Sequence, residues 1–303
     1  MRAGCPLETM VLRKRYRLRL PSRTLALGER TLIMGVLNVT PDSFFDGGKY
    51  LDSPSAIARA VELERAGADL IDIGGESTRP GADPVSAEEE LSRVLPVLEG
   101  LRGQIHIPIS LDTQKATVAE AGLELGVELI NDVSALRSDP KLAGIIRRKR
   151  AALTLMHMRG TPSTMHKGPF ASDVTRDVVS GLKAAVNRAT RAGIAKAQIL
   201  VDPGFGFGKT YEQNFELLAR LPELAKLGYP LVVGTSRKVF IGWKLAGGGK
   251  ETPWPLENRL WGTAATVAAA ILGGAHIVRV HDVEEMAQVA RIVDAITAAK
   301  NRS

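Results

Sequence analysis

One cysteine, Cys5, stands in a chain of 303 residues. No intrachain disulfide can form, which fits a reducing, cytoplasmic setting. Long apolar runs are missing as well. The longest, within 263–272, is too short to cross a bilayer, so no membrane partner is expected. Aromatic residues make up only 5% of the chain, and the basic clusters at 13–19 and 147–150 contain none besides Tyr16. The formal charge of +7 therefore points to a basic surface or anionic substrates, with no nucleic-acid partner. The first cluster alternates like a charged edge strand. The second suits a helix C-terminus, where cations offset the dipole.

Several catalytic signatures are also absent. There is no G-x-S-x-G elbow and no His- or Cys-rich spacing, so neither a serine triad on an elbow nor a dedicated zinc site is expected. Residues 202–210, "DPGFGFGKT", end like a phosphate-binding P-loop. Pro203, however, stands where that motif needs its first glycine, and it has no N–H to offer a phosphate. The glycines at 204, 206 and 208 also miss the dinucleotide spacing G-x-G-x-x-G.

What is present is a rhythm. Short runs rich in Val, Ile and Leu recur at 31–37, 69–75, 107–112, 128–132, 153–158, 198–202, 231–235 and 276–281. Such runs suit strands buried on both faces of a parallel sheet. Between them apolar residues repeat at helical spacing, as in 55–67, 86–101, 214–228 and 284–299. Ser86 and Glu89 have capping-box spacing. Eight alternations in this length imply an α/β chain folded as a single-domain (β/α)8 TIM barrel. A doubly wound open sheet is the alternative, disfavoured because no fingerprint marks a switch point. Residues 11–30 read as an N-terminal β-hairpin that plugs the barrel floor, residues 1–10 as disordered, and 11–303 as one barrel domain. "AGGGK" at 246–250 reads as the most flexible interior loop.

The polar residues fall where barrel enzymes keep their sites, at the strand C-terminal ends. Successive runs end in Asn38, Glu76, Asp112, Asn131 with Asp132, His157, Asp202, Ser236 to Lys238, and Arg279 with His281. Burying such a ring without function is costly. Asp112, Asn131 and Asp202 lie on different strands that barrel closure can aim at one ligand. Two carboxylates and an amide suit a flat heterocycle with several N–H donors. Lys238 adds a donor. Arg279 and His281, at i and i+2, share a strand face, and with Asn38 can grip an anionic leaving group. Asp132 and Asp282 read as helix N-caps, and His157 and His166 as structural histidines. Glu76 reads equally well as a partner of a local Arg. The loops 38–50 and 74–84 carry the Pro, Gly and charged residues of lids.

In order along the chain, "MGVLNVTPDSFFDGG", "IDIGGESTRPGA", "ISLDT", "INDVSA", "LMHMRGTP", "DPGFGFGK", "GTSRK" and "VRVHDV" resemble the dihydropteroate synthase family. The resemblance implies a (β/α)8 barrel, usually a homodimer. Its implied reaction joins p-aminobenzoate to 6-hydroxymethyl-7,8-dihydropterin diphosphate, giving 7,8-dihydropteroate and diphosphate in folate biosynthesis. By the same resemblance, Asp112, Asn131, Asp202 and Lys238 hold the pterin, with Met156 lining its pocket. Asn38, Arg279 and His281 form the diphosphate site, with Mg2+ bound through Asn38 and the diphosphate. Phe44, Thr78, Arg79, Pro80, Phe207 and Ser236 shape the p-aminobenzoate pocket. Early loss of diphosphate leaves a pterin cation that Asp112 and Asp202 stabilise, while Lys238, Arg279, His281 and Mg2+ stabilise the leaving charge. Lys209 then has no phosphate to hold.

Two positions depart from the family pattern. Val239 follows Lys238 where Ser is common, and Phe45 stands where a small residue is common. Three rivals remain: a pterin-dependent methyltransferase, which needs no diphosphate grip; a catalytically silent pterin-binding paralogue; and a nucleic-acid-binding protein, which needs a contiguous basic patch.

Overall fold

Residues 16–27 alternate leucine with polar or charged side chains, and they form an antiparallel hairpin of β1 (Tyr16–Arg19) and β2 (Thr24–Leu27). The computed structural model describes residues 13–40, 53–77, 83–161, 163–165, 167–249 and 252–300. The expectations for residues 1–10, Phe44, Phe45, Thr78, Arg79, Pro80 and His166 lie outside the described residues. In the hairpin, Arg15, Arg17 and Arg19 are exposed, as the edge-strand reading expects, whereas Arg13 is buried and donates to Asp294 at 2.6 Å. Gly28 makes the exit turn at φ +101°, where a Cβ would lie 2.5 Å from the Lys14 carbonyl.

The apolar runs form eight parallel strands. These are β3 (Leu32–Asn38), β4 (Leu70–Gly74), β5 (Ile109–Asp112), β6 (Leu129–Asp132), β7 (Ala152–Met156), β8 (Ile199–Asp202), β9 (Val232–Val233) and β10 (Ile277–Val280). Their order is β8-β7-β6-β5-β4-β3-β10-β9. A bridge between Val201 and Leu231 joins the ends and closes the barrel. The helices are α1 (Ser53–Arg65), α2 (Ala87–Gly100), α3 (Ala116–Glu124), α4 (Leu142–Lys149), α5 (Val174–Arg191), α6 (Tyr211–Ala219), α7 (Val239–Leu245), α8 (Leu260–Leu272) and α9 (Val283–Lys300). Ser86 caps α2 by accepting the Glu89 N–H, and α4 ends in Arg147, Arg148 and Lys149. The single helix expected over 214–228 is instead α6 followed by a 3-10 segment, Leu221–Leu227. Pro222 explains the break, since it has no N–H for the next helical bond and its ring clashes with the preceding turn.

Two apolar layers hold the barrel. One lies between the strands and the surrounding helices. The other lies inside, where Leu32, Met34, Leu70, Leu129, Leu200 and Ile277 meet Leu18, Leu20 and Leu27 of the hairpin segment. The hairpin therefore closes the floor. Side chains two residues apart share a strand face, so Leu70, Leu129, Leu200 and Ile277 fix what points inward next. Those residues are Asp72, Asn131, Asp202 and Arg279.

Candidate active site

These inward polar residues are bonded to one another. Asp72 is fully buried on β4. Its Oδ1 accepts the Ser110 hydroxyl at 2.5 Å, and its Oδ2 accepts Asn131 Nδ2 at 3.0 Å and Arg279 Nε at 2.6 Å. Arg279 Nη2 reaches Asp112 Oδ2 at 3.0 Å. Strand register sets Asn38 beside Gly74, Gly74 beside Asp112, and Asp112 beside Asn131, so these strand ends form one row. Burial, reinforced by the Asp72 charge and partly offset by Arg279, pushes the Asp112 carboxyl up to about 8. Burial opposes the Arg279 charge, but Asp72 and Asp112 outweigh it and hold the guanidinium above its usual range.

Asp202 ends β8 and accepts the Gly204 N–H at 2.6 Å. Burial raises its carboxyl; that N–H and Lys238 oppose the shift. The next loop is tied from beneath by Lys209, whose Nζ donates to the Gly204 carbonyl at 2.7 Å, the Phe207 carbonyl at 3.1 Å and His157 Nδ1 at 3.2 Å. All three ammonium protons are thus used inside the protein. Burial brings Lys209 down to about 7 and His157 to about 2, so His157 is a neutral structural histidine, as its sequence position suggested. Gly204 has φ +68°, and a Cβ there would lie 1.9 Å from the His157 carbonyl. Phe207 joins Val133, Met156, Met158 and Met165 in an apolar wall. Lys238 Nζ lies 4.3 Å from the Phe207 ring centroid.

A strained turn presents the third group. Arg237 sits at φ +58°, held by Thr263 on its N–H and by Asp282 on its guanidinium. On either side of it are Ser236 and Lys238. The Ser236 hydroxyl accepts the His281 N–H at 3.2 Å and lies 3.0 Å from His281 Nδ1. Burial and the Arg279 charge bring His281 down to about 3. A neutral ring that accepts from Ser236 at Nδ1 carries its proton on Nε2, a donor for an anion.

Asp112, Asn131, Asp202, Arg279 and His281 thus converge at the C-terminal end of the barrel, with Lys238, Ser236, Met156 and Phe207 around them. Asn38 is half-buried in the same row. Other readings need correction. Glu76 takes Lys115 at 2.8 Å, and the nearby Arg79 lies outside the described residues; Lys115 also reaches the buried Glu90 at 2.5 Å. Asp132 closes the 132–136 turn through the Ser134 and Leu136 N–H groups and caps no helix, since α4 starts at Leu142. Asp282, by contrast, does stand at the N-cap position of α9, where its carbonyl accepts the Met286 N–H, and its carboxylate holds Arg237. Sequence reasoning missed Asp72 altogether. The available signal was its place two residues after Leu70, on the same strand face.

The family model described as "Pterin binding enzyme" matches residues 34–281. A dihydropteroate synthase of Synechocystis sp. is 48% identical over 269 residues, covering 89% of this chain and 91% of its own. The structure of Xanthomonas albilineans dihydropteroate synthase with 4-aminobenzoic acid superposes with a TM-score of 0.85 at 42% identity, covering 94% of this chain and 99% of that one. The same enzyme in complex with 7,8-dihydropteroate gives a TM-score of 0.81 at 40% identity, covering 93% and 99%.

Proposed function

The chain belongs to the pterin-binding enzyme family, and from that premise we infer that its barrel mouth is a site of dihydropteroate synthesis. It condenses 6-hydroxymethyl-7,8-dihydropterin diphosphate with p-aminobenzoate, giving 7,8-dihydropteroate and diphosphate. The observation that carries this reading is the buried cluster of Asp72, Asp112 and Asn131, bonded to the half-buried Arg279 and set beside Asp202. Carboxylates and an amide suit the N–H edge of a pterin, while Arg279 and His281 offer donors to an anion.

In this mechanism Asp112, Asn131, Asp202 and Lys238 hold the pterin ring against Met156. Departure of diphosphate leaves positive charge on the exocyclic methylene, delocalised into the ring. Asp112 and Asp202, preorganised and shielded from water, stabilise that charge, and the cation in turn favours their ionised forms. Arg279, His281 Nε2–H and Lys238 stabilise the leaving oxygens. The aniline nitrogen of p-aminobenzoate, set beside Phe207 and Ser236, then attacks the methylene and loses its proton. Orientation contributes more here than a strong base. Roles for Phe44, Thr78, Arg79 and Pro80 at the p-aminobenzoate pocket are part of the same proposal.

The donor set suits magnesium only as a companion of the diphosphate. Among the described residues, no group of three or more His, Cys, Asp or Glu side chains could hold a metal. Asn38 offers one neutral oxygen, which fits Mg2+ that draws most of its ligands from phosphate and water. Bound there, Mg2+ would neutralise charge on the leaving diphosphate. We also propose a homodimer in a cytoplasmic setting. Trp261 on α8 is 81% exposed, and Ile292 and Ile296 on the adjoining α9 are exposed too, an apolar surface that a second copy would cover. Among the described residues no helix is long and apolar enough to cross a membrane.

The test is diphosphate release and product formation from the pterin diphosphate, with and without p-aminobenzoate and Mg2+. Stoichiometric dihydropteroate and diphosphate are expected when all are present. No release under any condition would leave the methyltransferase or silent-paralogue readings.

A further inference from the structure

We propose that Asp72 is a positioning residue that sets ligand specificity: it fixes which end of the Asn131 amide faces the pterin. This proposal rests on the dihydropteroate reading for the identity of the ligand. Asp72 is fully buried and acts through its neighbours, Ser110, Asn131 and Arg279. An asparagine amide can present either its oxygen or its nitrogen. A carboxylate oxygen already serving Arg279 accepts and does not donate, so only Nδ2 of Asn131 can face it. The Asn131 Oδ1 is thereby turned away from Asp72 and becomes the atom offered to the ligand.

The consequence is a uniform pattern. Asp202 and the Asn131 oxygen are acceptors, and Asp112 joins them in its ionised form, so the site reads an edge made of N–H donors. A reversed Asn131 amide would set its own N–H groups against those of the ligand, leaving buried donors unpaired. Asp72 Oδ2 also holds Arg279 Nε at 2.6 Å. One buried oxygen therefore sets both the amide that reads the ring and the guanidinium that faces the leaving group.

The test compares two ligands on the full-length protein. One is 6-hydroxymethylpterin; the other is its 2,4-dioxo counterpart, in which a carbonyl replaces the 2-amino donor. By equilibrium binding, the wild type is expected to prefer the pterin by at least ~100-fold, the discrimination expected of a site built to hydrogen-bond its ligand. In Asp72→Asn the Asn131 amide can turn, and the preference should fall at least ~10-fold. Ser110→Ala, which keeps the Asn131 bond, should retain the preference within about 3-fold. An unchanged preference in Asp72→Asn, or an equal loss of affinity for both ligands, overturns the proposal. If Asp72→Asn does not fold, the wild type decides. The Asn131 Nδ2 protons and the Arg279 Nε proton share one acceptor, so a nuclear Overhauser contact between them is expected, and its absence overturns the proposal. A wild type that binds neither ligand overturns the functional reading and this proposal with it.

Discussion

The floor and the mouth of the barrel are built from the same strands and differ by two residues along each. At the floor, Leu70, Leu129, Leu200 and Ile277 pack on Leu18, Leu20 and Leu27. Each such burial contributes about 1.5–3 kcal/mol. Two positions further on, the inward residues are Asp72, Asn131, Asp202 and Arg279, whose desolvation is offset by bonds among them and to Ser110 and the Gly204 N–H. The histidines show the same division. His276, at the floor, accepts the Leu231 N–H at Nδ1 and donates from Nε2 to the Lys14 carbonyl, so both nitrogens are satisfied within the protein. His281, at the mouth, uses Nδ1 on Ser236, and no bond of its Nε2 is found among the described residues. The floor stabilises, and the mouth gives up stability for chemistry.

The sharpest way to break this contrast is Arg279→Met. It leaves Asp72 and Asp112 without their shared cation, and should destabilise the fold by about 3–5 kcal/mol while abolishing measurable turnover; denaturant titration and the condensation assay check the two halves. Asp112→Asn should separate them in the opposite sense. Turnover should fall roughly 10²–10³-fold. Because the folded state holds the Asp112 proton more tightly than the unfolded chain does, wild-type stability declines as pH rises from about 3.8 to about 8. The variant should lose that decline, so melting curves across this range should diverge in its favour at the alkaline end.

At the floor the sign reverses. Burial brings His276 down to about 4 from 6.5, so its contribution is present above pH 6.5 and is lost as pH falls towards 4. The loss amounts to at most about 3 kcal/mol. His276→Gln should flatten that acid limb without changing kcat at neutral pH. The smallest effect concerns Val239, which is 40% exposed at the first position of α7. Val239→Ser should lower the KM for p-aminobenzoate by about 2–10-fold through one added hydrogen bond. An unchanged KM would show that this position does not touch the carboxylate.

The sequence disclosed the barrel because each apolar run ends in a turn and is followed by a helical repeat. Asp112, Asn131 and Asp202 were legible because they sit at or next to the ends of such runs. Asp72 was not, because β4 is buried on both faces and alternation then carries no contrast between inside and outside. Strand alternation puts it on the face of Leu70, and only barrel closure reveals that this face points inward. Glu76 misled for a related reason: it follows a strand end, yet its side chain turns to Lys115 on the helix side. Lys209 lies in a phosphate-like motif, and only the folded loop shows its protons bound to Gly204, Phe207 and His157.

The most direct test of the division between floor and mouth is kcat/KM for dihydropteroate formation in Asp202→Asn and Leu18→Ala, measured below the melting temperature of both. Asp202→Asn should lose roughly 10²–10³-fold. Leu18→Ala should stay within about twofold of wild type despite losing about 2–5 kcal/mol of stability. Equal losses in the two variants, or an Asp202→Asn enzyme as active as wild type, would contradict the account.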